Sequence, residues 1–237
     1  MKKIIILFVL SLTFWGCSKE EEPVDNTIKV ETDDLSLAPK QTYDIKAVSN
    51  SEITYSSENE FFASVSNNGI ITGGRVGTTN IILETGVDKK TIKVTTISSN
   101  YLYPDPILDF GSSKSSIISK LGTPDYQQSI GNTIAIRYDN APNTTLGTGY
   151  FFTDDKLTII QTRVKSAYSS LLSSYLSDRF VPVAQSDGSF IFFNALNPSK
   201  ITVGVSLTLY SVDYLDVEYI AFSSSSNMVS NIKLNVF

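Results

Sequence analysis

Histidine is absent from all 237 residues. Its absence removes the usual general base of serine and cysteine hydrolases and the commonest zinc ligand. Cysteine occurs once, at Cys17, so no intrachain disulfide can form and the fold rests on its apolar core. Lysine and arginine form no cluster and the formal charge is −5, which speaks against nucleic acid as a partner because phosphate binding needs a basic face. There is no glycine-rich phosphate loop: Gly73-Gly74 lies between short strand-like runs and lacks the Lys-Ser/Thr ending and the following helix. No run of residues reaches the roughly 20 apolar positions that span a bilayer. The expectation is a chain that needs no cofactor and catalyses nothing.

What is present begins with Met1-Lys2-Lys3, an apolar run over residues 4–15, and Gly16-Cys17. A positive start, a short apolar stretch and a small residue at the cut predict an export leader over residues 1–16. Residues 17–26, with Glu20-Glu21-Glu22, read as an acidic tether. Gly16-Cys17 resembles the lipobox of bacterial lipoproteins, although Phe14 and Trp15 depart from its usual aliphatic and small residues. Ser18-Lys19-Glu20-Glu21-Glu22 is similar to the export signal of surface lipoproteins of the Bacteroidota type. The resemblance implies palmitate-type lipidation on Cys17, and so a protein held in the outer membrane, facing the cell surface. Two or three acyl chains at about 0.8 kcal/mol per buried methylene make such an anchor effectively permanent.

Residues 27–98 carry short strand signals. Tyr43, Ile45 and Ala47 alternate with Thr42, Asp44 and Lys46, and Asn67-Asn68-Gly69 between Val65 and Ile70 is a hairpin turn. This spacing, without a helical period, predicts a β-sandwich. The segments Tyr55-Ser56-Ser57-Glu58-Asn59, Ala63-Ser64-Val65, Asn68-Gly69-Ile70-Ile71-Thr72-Gly73, Gly77-Thr78-Thr79-Asn80-Ile81 and Ile92-Lys93-Val94 resemble the bacterial immunoglobulin-like domain of group 2. Tyr55 stands where that family usually has tryptophan. Family members serve mostly as spacers in adhesins and surface enzymes, so the resemblance implies architecture more than activity.

The composition shifts at Ser98-Ser99-Asn100, and Tyr103-Pro104-Asp105-Pro106 follows as a stiff, extended join. Residues 99–237 then predict a second domain. Ser112-Ser113, Ile117, Ile118, Leu121 and Gly122 outline one capped helix. Tyr168, Leu171, Leu172, Tyr175, Leu176 and Phe180 form the apolar stripe of another, with Ser166 as its expected N-cap. Strand signals lie at residues 133–138, 148–153, 156–164, 189–194, 201–210 and 214–222, with turns at Asp154-Asp155 and Asp187-Gly188. The fold class expected is thus an N-terminal all-β immunoglobulin-like sandwich followed by an α+β domain with two helices on an antiparallel sheet. Helix plus strands recurring near seventy residues suggests a tandem repeat. Leu121-Gly122-Thr123-Pro124, with Tyr150-Phe151-Phe152 and Leu157, faintly resembles the fold of the β-lactamase inhibitor protein and of small outer-membrane assembly lipoproteins.

Two kinds of site are candidates. Asp216 and Glu218, two apart on one strand, would lie about 7 Å apart on one face, a separation compatible with glycosidic chemistry. The bland alternative is a solvated strand opposite the buried Leu215, Val217 and Tyr219. Aromatic rings are the other kind, because they anchor sugars and protein interfaces. Alternation places Phe151 and Phe152 on opposite faces, as it does Phe192 and Phe193, so one ring of each pair should be partly exposed on the helix-free face; Tyr210 is a candidate ligand-binding ring with them. A competing arrangement has residues 223–226 and 232–237 fold across that face. The function expected is a binding or adhesion lipoprotein, in which the sandwich is a stalk and the C-terminal domain takes a glycan or an envelope or surface protein. An envelope assembly or inhibitor protein that docks a partner, and a carboxylate-dependent glycoside-active enzyme, are the alternatives.

Overall fold

The structure, a computed structural model, describes residues 25–139, 143–184 and 190–222. The leader over residues 1–16, Cys17, most of the tether, the Asp187-Gly188 turn and residues 223–237 lie outside the described residues.

The first domain contains β1 (Asp34–Leu37), β2 (Thr42–Asp44), β3 (Thr54–Ser57), β4 (Ala63–Val65), β5 (Ile70–Gly73), β6 (Gly77–Glu84) and β7 (Lys89–Thr96). One sheet has the order β1-β7-β6-β3 and the other β2-β5-β4, with β1 parallel to β7 and the other pairs antiparallel. The strands pair this way because each carries one apolar row: Ile81 and Leu83 of β6 and Ile92 and Val94 of β7 point inward, while Lys89, Lys90 and Lys93 face water. With Ile28, Leu37, Ile45, Ala63 and Ile71 they form one core between the sheets. The Asn67-Asn68-Gly69 turn closes as expected, with Gly69 at φ 77° and its N–H donating to the Ser66 carbonyl at 3.0 Å. At the end of β5 the two sheets are joined so tightly that a Cβ on Gly73 would stand 2.4 Å from the Ala38 carbonyl oxygen. Gly73→Ala is therefore expected to destabilise this domain by about 1–3 kcal/mol, the cost of overpacking, read as a lowered urea midpoint.

The second domain contains α1 (Lys114–Leu121), β8 (Tyr126–Ile130), β9 (Thr133–Tyr138), β10 (Thr145–Thr153), β11 (Lys156–Lys165), α2 (Ser169–Ser177), β12 (Val181–Ala184), β13 (Phe190–Phe193), β14 (Val203–Ser211) and β15 (Tyr214–Ala221). Its sheet has eight strands in the order β12-β13-β14-β15-β11-β10-β9-β8. Each helix is followed by a four-strand meander, and the meanders meet where β11 pairs β15, from Ile159↔Ile220 to Lys165↔Tyr214. The α+β expectation is corrected in its balance. This is a mostly β domain whose helices are short, because Gly122 ends α1 and the chain leaves α2 at Asp178. Ser113 caps α1 by accepting from the Ser116 N–H at 3.2 Å. Ser166 does not cap α2: it opens a 3-10 turn, Ser166–Tyr168, and its hydroxyl donates to the Val212 carbonyl at 2.8 Å.

Both helices press on the same face of the sheet. Ile117 from α1 and Leu172, Tyr175 and Leu176 from α2 share a core with Ile136, Tyr150, Phe152, Ile160, Val217 and Tyr219. Deep in it the Tyr103 and Tyr219 hydroxyls meet at 2.7 Å, and the Tyr103 and Tyr175 rings pack at 4.4 Å. Burial satisfies the apolar rings, and the hydroxyl pair satisfies the polar atoms that come with them.

Candidate functional site

The aromatic pairs divide between the two faces of the sheet as alternation requires. Phe152 pairs with Leu157 and Phe192 with Val205, and all four belong to the core under the helices. Phe151 and Phe193 are on the helix-free face. The expectation that the ring on this face is partly exposed is corrected for the first pair: Phe151 is 3% exposed, in a small cluster with Ala135, Ile159 and Ile220. Its ring also lies against Gly149, where a Cβ would come within 3.3 Å of it. Glycine leaves room for the ring to lie flat on the sheet, which removes it from water without a helix above it. Phe193 is half-buried and meets the Phe222 ring edge-on at 5.3 Å between centroids.

The centre of the helix-free face is polar and closed. Arg163 on β11 stands opposite Asp216 on β15, with Nε donating to Oδ1 at 2.7 Å and Nη2 to Oδ2 at 2.9 Å. Gln161 Nε2 adds a third hydrogen bond to Oδ2 at 3.2 Å. Tyr210 covers the guanidinium, whose central carbon lies 3.3 Å from the ring centroid. The reading of Asp216 as a solvated strand residue is thereby corrected, since it is 7% exposed and bound through both oxygens. Asp216 and Glu218 do share one face, but the first is occupied by an arginine rather than facing an open groove. Sequence reasoning missed Arg163. The one available signal was a positive charge inside a strand that also carries Ile159, Ile160 and Val164.

Exposed apolar surface gathers instead at one end of the sheet. The β14–β15 hairpin presents Leu209, 68% exposed, Tyr210, 49% exposed, and Val212, 85% exposed. Ser166 ties this tip to the start of α2 through the Val212 and Asp213 carbonyls, which brings the exposed Tyr168 alongside. The exposed Leu146 sits in the β10 irregularity between Thr145 and Gly147, beside Val164 and Arg163. These exposed apolar side chains, set on neighbouring turns and strand ends, are the candidates for an interaction surface. Of the residues expected to bind a ligand, Tyr210 alone belongs to it. Among the described residues no three acidic, histidine or cysteine side chains converge as metal ligands, and no helix is long and apolar enough to cross a membrane.

The first domain shows two short sheets, a glycine-closed β4–β5 hairpin and a sheet-joining Gly73. Residues 24–96 match the bacterial Ig-like domain (group 2) family. Among solved structures, the chain is similar to domains 4 and 5 of the S-layer protein SbsC, at 23% identity and a TM-score of 0.29, over 32% of this chain and 54% of that one. It is also similar to a bacterial Ig-like domain containing GH10 xylanase from termite gut, at 18% identity and a TM-score of 0.26, over 37% of this chain and 23% of that one. A third is an extracellular protein containing an SCP domain from Bacillus anthracis, at 12% identity and a TM-score of 0.27, over 49% of this chain and 45% of that one. The chain thus spans about half the length of the first and less of the others. No curated protein matches it. Where the Ig-like domain meets the second domain, Val76 joins Pro106, Leu108, Tyr175, Phe180 and Tyr219 around a cleft of about 190 Å³. The rim of the cleft is the Arg179–Asp105 ion pair, in which Arg179 Nε and Nη2 both donate to the carboxylate.

Proposed function

We propose that this protein is a lipid-anchored, non-enzymatic binding protein of the outer membrane, facing the cell surface. Cys17 carries the lipid, the acidic tether follows, the Ig-like domain is the spacer, and the C-terminal domain engages a partner. The observation that carries the reading is the apolar end formed by Leu209, Tyr210, Val212, Tyr168 and Leu146. Its aliphatic side chains favour a surface or envelope protein over a glycan, because sugars stack on flat aromatic faces and one face of Tyr210 is already on Arg163. The helix-plus-four-strands order occurring twice supports the narrower reading of an assembly or inhibitor protein, in which the sheet domain docks a partner protein.

Two measurements test it. Cys17→Ser should remove the protein from the carbonate-washed membrane fraction; retention there would refute the anchor. Chemical cross-linking on intact cells should yield a defined protein adduct, and Val212→Asp with Leu209→Ser should weaken it about tenfold or more, as loss of central apolar anchors does. An adduct that survives both substitutions places binding elsewhere, and retention of the protein on a glycan array with no protein adduct selects the sugar.

A further inference from the structure

The segment joining the two domains is fixed at several points to one short stretch of chain, the C-terminal end of α2. Asp178 accepts from the Ser98 hydroxyl at 2.5 Å and from Asn100 Nδ2 at 2.7 Å, both on Oδ2. Ser98 Oγ in turn accepts from the Asn100 N–H at 2.8 Å, which folds the joining segment into a tight turn around the carboxylate. The backbone carbonyl of Asp178 accepts from the Val76 N–H at 2.8 Å, and Val76 belongs to the β5–β6 connection of the Ig-like domain. A helix cannot satisfy its own last carbonyls. Here the neighbouring domain supplies a donor to one of them.

Arg179 continues the same arrangement. Its Nη1 donates to the Tyr175 carbonyl at 3.2 Å and to the Asn100 carbonyl at 3.5 Å, while its other nitrogens hold Asp105. The Tyr175 hydroxyl also donates to Asp105, at 2.6 Å. Two consecutive residues therefore grip three separate places: the Ig-like domain at Val76, the joining turn at Ser98 and Asn100, and the Pro104-Asp105-Pro106 stretch. Below them Val76 and Phe180 both line the small cleft between the domains. A flexible join would leave Ser98 and Asn100 to water and would need neither.

We propose that Asp178 and Arg179 are an interdomain lock, which makes the Ig-like domain a rigid spacer that sets the direction of the C-terminal domain. This goes beyond the binding reading and does not depend on what, if anything, the hairpin tip binds. A fixed direction has a physical use on a surface: a partner meets a preorganised site and association loses less orientational freedom.

The test uses the full mature chain with Cys17→Ser and nitroxide labels at Val87→Cys and Leu196→Cys, exposed positions in the two domains. Pulsed electron–electron resonance should give one narrow distance distribution. Asp178→Ala should broaden it into a multimodal one, whereas Asp178→Asn, whose amide oxygen still accepts from Ser98 and Asn100, should keep it narrow. Ser98→Ala with Asn100→Ala leaves α2 untouched and should broaden it too, which keeps the proposal testable if Asp178→Ala fails to fold. A broad distribution in the parent overturns the lock. So does a narrow one in the folded Asp178→Ala variant or in the Ser98/Asn100 variant.

Discussion

Arg163→Ala lowers the stability of the C-terminal domain by about 3–5 kcal/mol, read from urea unfolding followed by tyrosine fluorescence. The size follows from what is left behind. Asp216 is almost wholly buried and receives both of its short hydrogen bonds from this guanidinium, so alanine strands a carboxylate in the sheet with the weak Gln161 contact alone. The tyrosine that covers the guanidinium loses its support as well. Most of the cost is the unpaired charge rather than the pair itself. Arg163→Met combined with Asp216→Leu should consequently be closer to the parent than Arg163→Ala is. A single variant within 1 kcal/mol of the parent would show that water reaches Asp216 and that the face is open.

Alkaline pH should unfold the same domain steeply. Burial pushes the Tyr150 hydroxyl up to about 12 and raises Tyr103, Tyr175 and Tyr219 as well; the neighbouring Tyr219 adds to the rise at Tyr103 and Tyr175, while the hydrogen bond with Tyr103 offsets part of it at Tyr219. An unfolded tyrosine releases its proton near pH 10. Above that pH the unfolded chain binds fewer protons than the folded one, so stability falls as pH rises; below pH 10 the contribution is intact. Each such group adds a slope of up to about 1.4 kcal/mol per pH unit, and the four together reach about 5 kcal/mol per unit between pH 10 and 12. A domain of ordinary stability, about 5–15 kcal/mol, does not survive that interval. Circular dichroism across a pH series should show the loss, and Tyr103→Phe with Tyr219→Phe, which removes both hydroxyls of one pair, should make it shallower. A domain that stays folded at pH 12 would mean that the phenols ionise in place and are not buried as described.

The strands that could be read from the chain are those in the interior of the sheet. β9 was expected at its observed bounds, and β10, β11, β14 and β15 within a few residues, because each has at least one face in the core and carries an apolar row. The two strands that were missed, β8 and β12, are the two edges. Tyr126-Gln127-Gln128-Ser129-Ile130 has no buried residue, and β12 contains Pro182, which cannot donate to a ladder and is tolerated at an edge. An edge strand is created by its neighbour's unpaired hydrogen-bonding groups more than by its own pattern. The candidate site shows the same division. Alternation split the pairs Phe151/Phe152 and Phe192/Phe193 between the two faces but could say neither which ring faces the helices nor whether the helix-free face is wet.

Local chemistry determined much of this protein: the Asn67-Asn68-Gly69 and Asp154-Asp155 turns, the serine and glycine caps of α1, the two-residue period of the sandwich and the match of residues 24–96 to the bacterial Ig-like (group 2) model. Each depends on neighbours a few positions apart, whose backbone preferences and side-chain directions are fixed before anything else folds. The tertiary structure decided the rest. Arg163 finds Asp216 at a sequence separation of 53, and Asp178 reaches Ser98 at a separation of 80. Those pairings exist because two meanders happen to join at β11 and β15, and because α2 happens to end against the Ig-like domain. No residue pattern encodes the partner of a charge across such distances; only burial, which makes an unpaired charge expensive, selects it once the chain has closed.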